Sequence, residues 1–95
     1  MLPIIWNQSA LDDLAEIVGY IAESNPLAAR KLQTRIKASI KPAAANPHIG
    51  REGSVADTRE VVATANYIIV YQALVKTIEV TSIYHASQQY PKAAG

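Results

Sequence analysis

The run TIEVTSIYHASQQYP, residues 77–91, alternates like a strand and then sets Tyr84 beside His85, followed by two glutamines and a Tyr-Pro pair. Imidazole and phenol are groups that pass protons at a reacting centre. The end of this strand is therefore where chemistry would be carried, if any is. The same residues also have a packing reading, with His85 held by a backbone carbonyl and Tyr84 in the core. Other chemistries find less support. His48 and His85 are the only histidines, cysteine is absent, and acidic residues do not gather near either histidine at metal-ligand spacing, so no metal or other cofactor is expected. No nucleophile elbow supports a Ser-His-Asp triad. Gly50 and Gly53 lack the strand–loop–helix setting and the lysine of a phosphate loop. They are expected instead to supply positive φ in a turn.

The bulk composition narrows the class. The 95 residues suit a single domain spanning 1–95, and 49% hydrophobic with 18% charged residues is globular composition. A net charge of +1 gives no general electrostatic case for nucleic-acid binding. Without cysteine there is no disulfide framework. The apolar runs are too short for a signal peptide or a membrane span, so a cytoplasmic protein is expected.

The elements that would position the strand end can be read in order. Ile4, Ile5 and Trp6 are β-prone. Asn7 and Ser9 compete as the cap of a first helix, in which Asp12, Asp13 and Glu16 suit the positive helix end. Leu11, Leu14, Val18 and Ile21 recur on one face. Asn25-Pro26 is a cap followed by a proline at the first helical position. The second helix aligns Ala29, Leu32, Ile36 and Ile40, with Arg30, Lys31, Arg35, Lys37 and Lys41 mostly opposite. Pro42 ends or kinks it. Residues 46–58 read as a loop, and strands follow over 59–64, 67–74 and 77–84. In the last strand Ile78, Val80 and Ser82 fall on one face, and Thr77, Glu79, Thr81 and Ile83 on the other. The expected fold is α+β and two-layered, in the order β-α-α-β-β-β. A short N-terminal strand and an antiparallel helical hairpin pack on an antiparallel sheet. The expected core is Trp6, Leu14, Ile17, Val18, Ile21, Leu32, Ile36, Ile40, Val62, Ile69, Val70, Ile78 and Val80.

Four segments resemble the RelE/ParE family of toxins from bacterial type II toxin–antitoxin (plasmid addiction) systems, and closer to its ParE-like members. They are WNQSALDDLAEIVGYIAESNPLAA, NPHIGREGSVADTREVV, YIIVY and IYHASQQYP, in that order and at compatible spacing. The resemblance implies a compact toxin neutralised by a cognate antitoxin. Its activity would be either poisoning of DNA gyrase by protein contact or cleavage of mRNA on the ribosome. The fold alone does not choose between them.

Cleaving RNA without a metal requires a base for the 2′-OH, an acid for the leaving oxygen and a cation for the phosphorane. The resemblance puts Gln72 and Ser82 where many relatives carry arginine, which weakens the nuclease reading. Tyr84-His85 is nonetheless similar to the ending of YoeB-like nucleases. It permits a minimal set of Glu60 as base, His85 as acid and Arg59 on the phosphate, with Tyr84 beside them. The gyrase reading needs no catalytic residue. It makes Arg51, Arg59, Tyr84, His85, Gln88, Gln89, Tyr90 and Lys92 a target-binding surface. The antitoxin would lie along the hairpin and sheet, touching Leu11, Leu14, Val18, Arg30 and Arg35, as an amphipathic helix or an added strand. Because residues 88–95 follow the last strand, their removal is expected to leave the fold intact.

Overall fold

A computed structural model describes residues 1–64, 66–88 and 90–91. The order is β1 (Ile4–Trp6), α1 (Gln8–Ala22), α2 (Pro26–Ser39), α3 (Lys41–Ala45), β2 (Arg51–Glu52), β3 (Arg59–Val62), β4 (Tyr67–Ala73) and β5 (Ile78–His85). The expected β-α-α-β-β-β order is present. Two short elements, α3 and β2, lie within what the sequence suggests is helix end and loop.

Asn7 takes the cap position of α1 in extended conformation, but its side chain makes no cap hydrogen bond. Ser9 lies inside the helix, and its hydroxyl donates to the Thr81 carbonyl at 2.7 Å. Asp12 and Asp13 fall beyond the first turn, so they do not serve the helix end as expected. Asn25 does cap α2, accepting from the Ala28 amide at 3.0 Å with Pro26 in the first position. Pro42 is accommodated at the start of α3, where a proline's missing N–H costs no helical hydrogen bond.

The strands form one sheet in the order β1-β5-β4-β3-β2. The pairs β3–β4 and β4–β5 are antiparallel, as expected, and the short β2 adds to β3 antiparallel as well. β1 joins the edge parallel to β5, with Ile4, Ile5 and Trp6 opposite Ile78, Glu79 and Val80. The sheet is therefore mixed rather than wholly antiparallel. A parallel pair needs a long connection, and here nearly the whole chain runs between β1 and β5.

The core forms where α1 and α2 cover one sheet face. Ala10, Leu14, Leu32 and Ile36 meet Ile69, Tyr71, Ile78, Val80 and Ile83. Ala10, Tyr71 and Ile83 are additions to the expected core. Val62 leaves it, being 64% exposed. Register explains this, since Val62 pairs with Ile68 on the face turned away from the helices. Val70 shares that outer face, yet it is fully buried.

A bulge sets which side chains reach which face of β5. Val70 pairs with Ser82, but Tyr71 pairs with Val80, so Thr81 is the extra residue. An extra residue reverses the in–out phase beyond it. Ile83 and His85 therefore share the helix-covered face with Ile78 and Val80, opposite to the strict alternation expected. Ser82 and Tyr84 lie on the outer face. The first residues of α1 satisfy the β5 edge where β1 has ended: the Asn7 amide donates to Val80, Ser9 to Thr81, and the Ile83 amide to Asp13 Oδ2 at 2.9 Å.

Candidate functional site

On the outer face, register places Arg51, Glu60, Val70 and Ser82 in one row across four strands. Glu60 is only 5% exposed, and it is fully engaged. Arg51 reaches its Oε1 at 3.1 Å as an ion pair, and the Tyr84 hydroxyl donates to its Oε2 at 3.2 Å. The C-terminal segment folds back over this row. The Tyr90 ring stacks on Tyr84 with centroids 4.5 Å apart and planes within 5°. The Tyr90 hydroxyl reaches Ser82 Oγ at 3.5 Å, and its carbonyl accepts from Ser54 at 3.3 Å. This polar and aromatic roof explains why Val70 is buried on a face that no helix covers. Burial pushes the Tyr84 phenol above its ordinary pKa, the Glu60 carboxylate adds to the rise, and Arg51 opposes it. Tyr84 thus stays a neutral donor to Glu60.

His85 sits on the other side. Its ring meets Tyr67 edge-on at 5.3 Å, and its Nδ1 accepts from the Ser87 amide at 3.0 Å with the Ser87 hydroxyl at 2.7 Å. An accepting Nδ1 leaves Nε2 as the protonated nitrogen of the neutral ring. The His85 amide donates to Gln88 Oε1 and the Gln88 amide to the His85 carbonyl, both at 2.8 Å. The ring is therefore held by Ser87, rather than by the backbone carbonyl considered from sequence. A cleft of about 660 Å³ opens around this edge of β5, walled by Asp13 and Glu16 of α1, by Tyr67 and His85 from the helix side, and by Ser82, Tyr84 and Tyr90 from the outer side.

Arg59 is spent on the loop before β3. It lies on the helix-side face opposite Tyr71, and Nη1 donates to the carbonyls of Gly50 at 2.9 Å and His48 at 3.3 Å. The Tyr71 hydroxyl completes the brace. It accepts from the Gly50 amide and donates to the Pro47 carbonyl, both at 2.9 Å. Gly50 is required by close approach, since a Cβ there would stand 2.8 Å from both the Glu60 carbonyl and the Tyr71 hydroxyl. Neither Gly50 nor Gly53 has the positive φ expected of it; Asp57 and Asn66 do, at 63° and 68°.

The minimal nuclease set is therefore not brought together. Glu60 and Tyr84 meet on the outer face, while His85 and Arg59 lie on the helix side. Of the expected target-binding residues, Arg51, Tyr84 and Tyr90 gather on the outer face, with His85 and Gln88 at the strand end beside them. Gln89 and Lys92 lie outside the described residues. Of the expected antitoxin contacts, Leu14 is corrected. It is 4% exposed and packed into the helix–sheet core, so its side chain is not available to a partner. Val18 is half-buried against the same core, whereas Leu11, Arg30 and Arg35 are exposed. Sequence reasoning missed the Tyr84–Tyr90 stack and the role of Ser54. The aromatic spacing at 84 and 90 was the only available signal.

The model of the ParE toxin of type II toxin–antitoxin systems (parDE) matches residues 4–90. The chain belongs to the ParE toxin family. Relatives of this ParE-family chain point the same way. It is 38% identical over 90 residues to "Putative toxin Y4kP" of Sinorhizobium fredii, covering 94% of this chain and 93% of that one. It is 33% identical over 88 residues to "Toxin RelE2" of Caulobacter vibrioides, covering 93% and 99%. A solved chain of the chromosomal ParDE system of P. aeruginosa shares the fold. Its TM-score is 0.82 at 23% identity, over 92% of this chain and 98% of that one. Together these matches make it a type II toxin of the RelE/ParE family, a family membership that implies a cognate antitoxin. Among the described residues no helix is long and apolar enough to cross a membrane.

Proposed function

We propose that this ParE-family toxin inhibits DNA gyrase by protein–protein contact, through the end of β5 and the segment that folds back from it. The separation of the would-be nuclease residues carries the reading. A general acid and base must lie within hydrogen-bond reach of one substrate, but His85 and Glu60 occupy opposite faces of the sheet. The cations that would stabilise a phosphorane are also committed, Arg51 to Glu60 and Arg59 to the loop carbonyls. What remains at the strand end is aromatic area suited to an interface, in Tyr84 and Tyr90. A gyrase target places the toxin in the cytoplasm, and a role in plasmid stabilisation follows if the module is carried on a plasmid. The cognate antitoxin neutralises it along the outer surface of the hairpin, where Leu11, Arg30 and Arg35 are accessible.

The test uses supercoiled plasmid, purified gyrase and ATP, with detergent and protease added before electrophoresis. Linear DNA that depends on the toxin is the expected result. A folded toxin that leaves gyrase untouched but cuts ribosome-bound mRNA, with the cutting lost in His85→Gln, would overturn it.

A further inference from the structure

The chain's charge is nearly balanced overall but sharply segregated along it. No acidic residue occurs between Glu23 and Glu52. Within that interval Arg30, Lys31, Arg35, Lys37 and Lys41 are all exposed on α2 and the start of α3. None of them forms a salt bridge among the described residues, where the ion pair is Arg51–Glu60. Lys31–Arg35 is a like-charge pair four residues apart on α2, a spacing that destabilises a helix. A polyanion lying on this face relieves that repulsion.

Helical spacing divides the five cations into two rows. Arg30, Lys37 and Lys41 form one, and Lys31 and Arg35 the other, about 120° apart around the axis. Between the rows lie Thr34 and Ala38, both small and exposed. The Thr34 hydroxyl is turned back onto the Arg30 carbonyl. The result is a shallow lane with basic walls. It contains no aromatic ring on which an unpaired base could stack, which disfavours single strands. One large apolar side chain, the exposed Leu27, continues the lane at the helix start, a single anchor beside five cations.

We infer that this face of α2 binds the phosphate backbone of duplex DNA, without reading its sequence. The inference is independent of which enzyme the strand end contacts. It fits a toxin whose target is itself on DNA; an antitoxin seated on Arg30 and Arg35 would compete with DNA for the same face.

The test is fluorescence anisotropy of the toxin alone on a labelled duplex of about 20 bp and mixed sequence, starting near 50 mM salt. Each neutralised phosphate contributes about −0.9 to the slope of log K against log salt, so three or four contacts predict a slope near −3. The Lys31→Gln/Arg35→Gln double variant should be shallower by about 2 and bind at least about tenfold more weakly. Lys76→Gln, in the β4–β5 turn, should bind as the parent does. Circular dichroism checks that each variant is folded. No binding at low salt, an unchanged slope in the double variant, or poly-glutamate competing as well as DNA would each overturn the inference. The last result would assign the face to an acidic peptide.

Discussion

Single atoms decide how the two sides of this sheet are held. The Tyr71 hydroxyl ties the Gly50 amide and the Pro47 carbonyl to a fully buried ring. Tyr71→Phe leaves both backbone groups without that partner, and a buried polar group stranded in this way costs about 1–3 kcal/mol. Urea unfolding should show that loss, and amide exchange at Gly50 should rise. On the outer face Tyr84 provides a pH signature. An unfolded tyrosine ionises at about pH 10. Burial and the Glu60 carboxylate hold the native pKa above that. Above the unfolded value the native state therefore keeps a proton that the unfolded state has lost. The contribution is complete below that value and fades as pH rises through the native one. Stability measured from pH 9 to 11 should fall with rising pH in the parent and less steeply in Tyr84→Phe. An identical slope in the two proteins would assign the effect to other groups. Neither network was visible in sequence. Tyr71 and Glu60 could be placed on strands, but what their polar atoms touch depends on loops whose path no periodicity encodes.

The first two helices and the order of the main elements along the chain were legible because their signals are local. Asn25-Pro26 marks a helix start, and Leu32 and Ile36 recur at helical spacing. The parallel pairing of β1 was not legible, because a three-residue run carries no information about a partner more than seventy positions away. The bulge at Thr81 was equally hidden, since TIEVTSIY reads as plain alternation. That one residue decides which of Ser82 and Ile83 enters the core. Ile83 is 5% exposed and packs on the helices. Ile83→Ala should therefore cost about 2–4 kcal/mol, within the usual range for buried isoleucine. Ser82→Ala, on the outer face, should cost less than about 1 kcal/mol. Equilibrium denaturation of the two variants tests the bulge directly, because an unbroken alternation predicts the reverse order. The same phase change puts Tyr84 over Glu60 and turns His85 toward α1. It is thus the element-level reason that the nuclease set does not assemble.

At the scale of the molecule, Gln88 and Tyr90 are part of the folded body, which modifies the expectation from sequence. Gln88 returns hydrogen bonds to His85, and Tyr90 stacks on Tyr84 and accepts from Ser54. Removing residues 88–95 strips the roof from Val70 and from the Tyr84–Glu60 bond, but it leaves the helix–sheet core untouched. The chain should still unfold in one cooperative transition, at a stability lower by about 1–3 kcal/mol. That is the range expected for one aromatic contact and a few exposed hydrogen bonds. Function should divide more sharply than stability. The segment carries Tyr90 and supports Tyr84, whereas Leu11, Arg30 and Arg35 lie on the helical hairpin. The truncated toxin should therefore lose gyrase poisoning while keeping its affinity for the antitoxin. Calorimetric titration with the antitoxin, run beside the plasmid linearisation assay, measures both. If both activities disappear from a chain that still folds, the two partners share the strand end. If poisoning survives, the target contact lies elsewhere on the toxin.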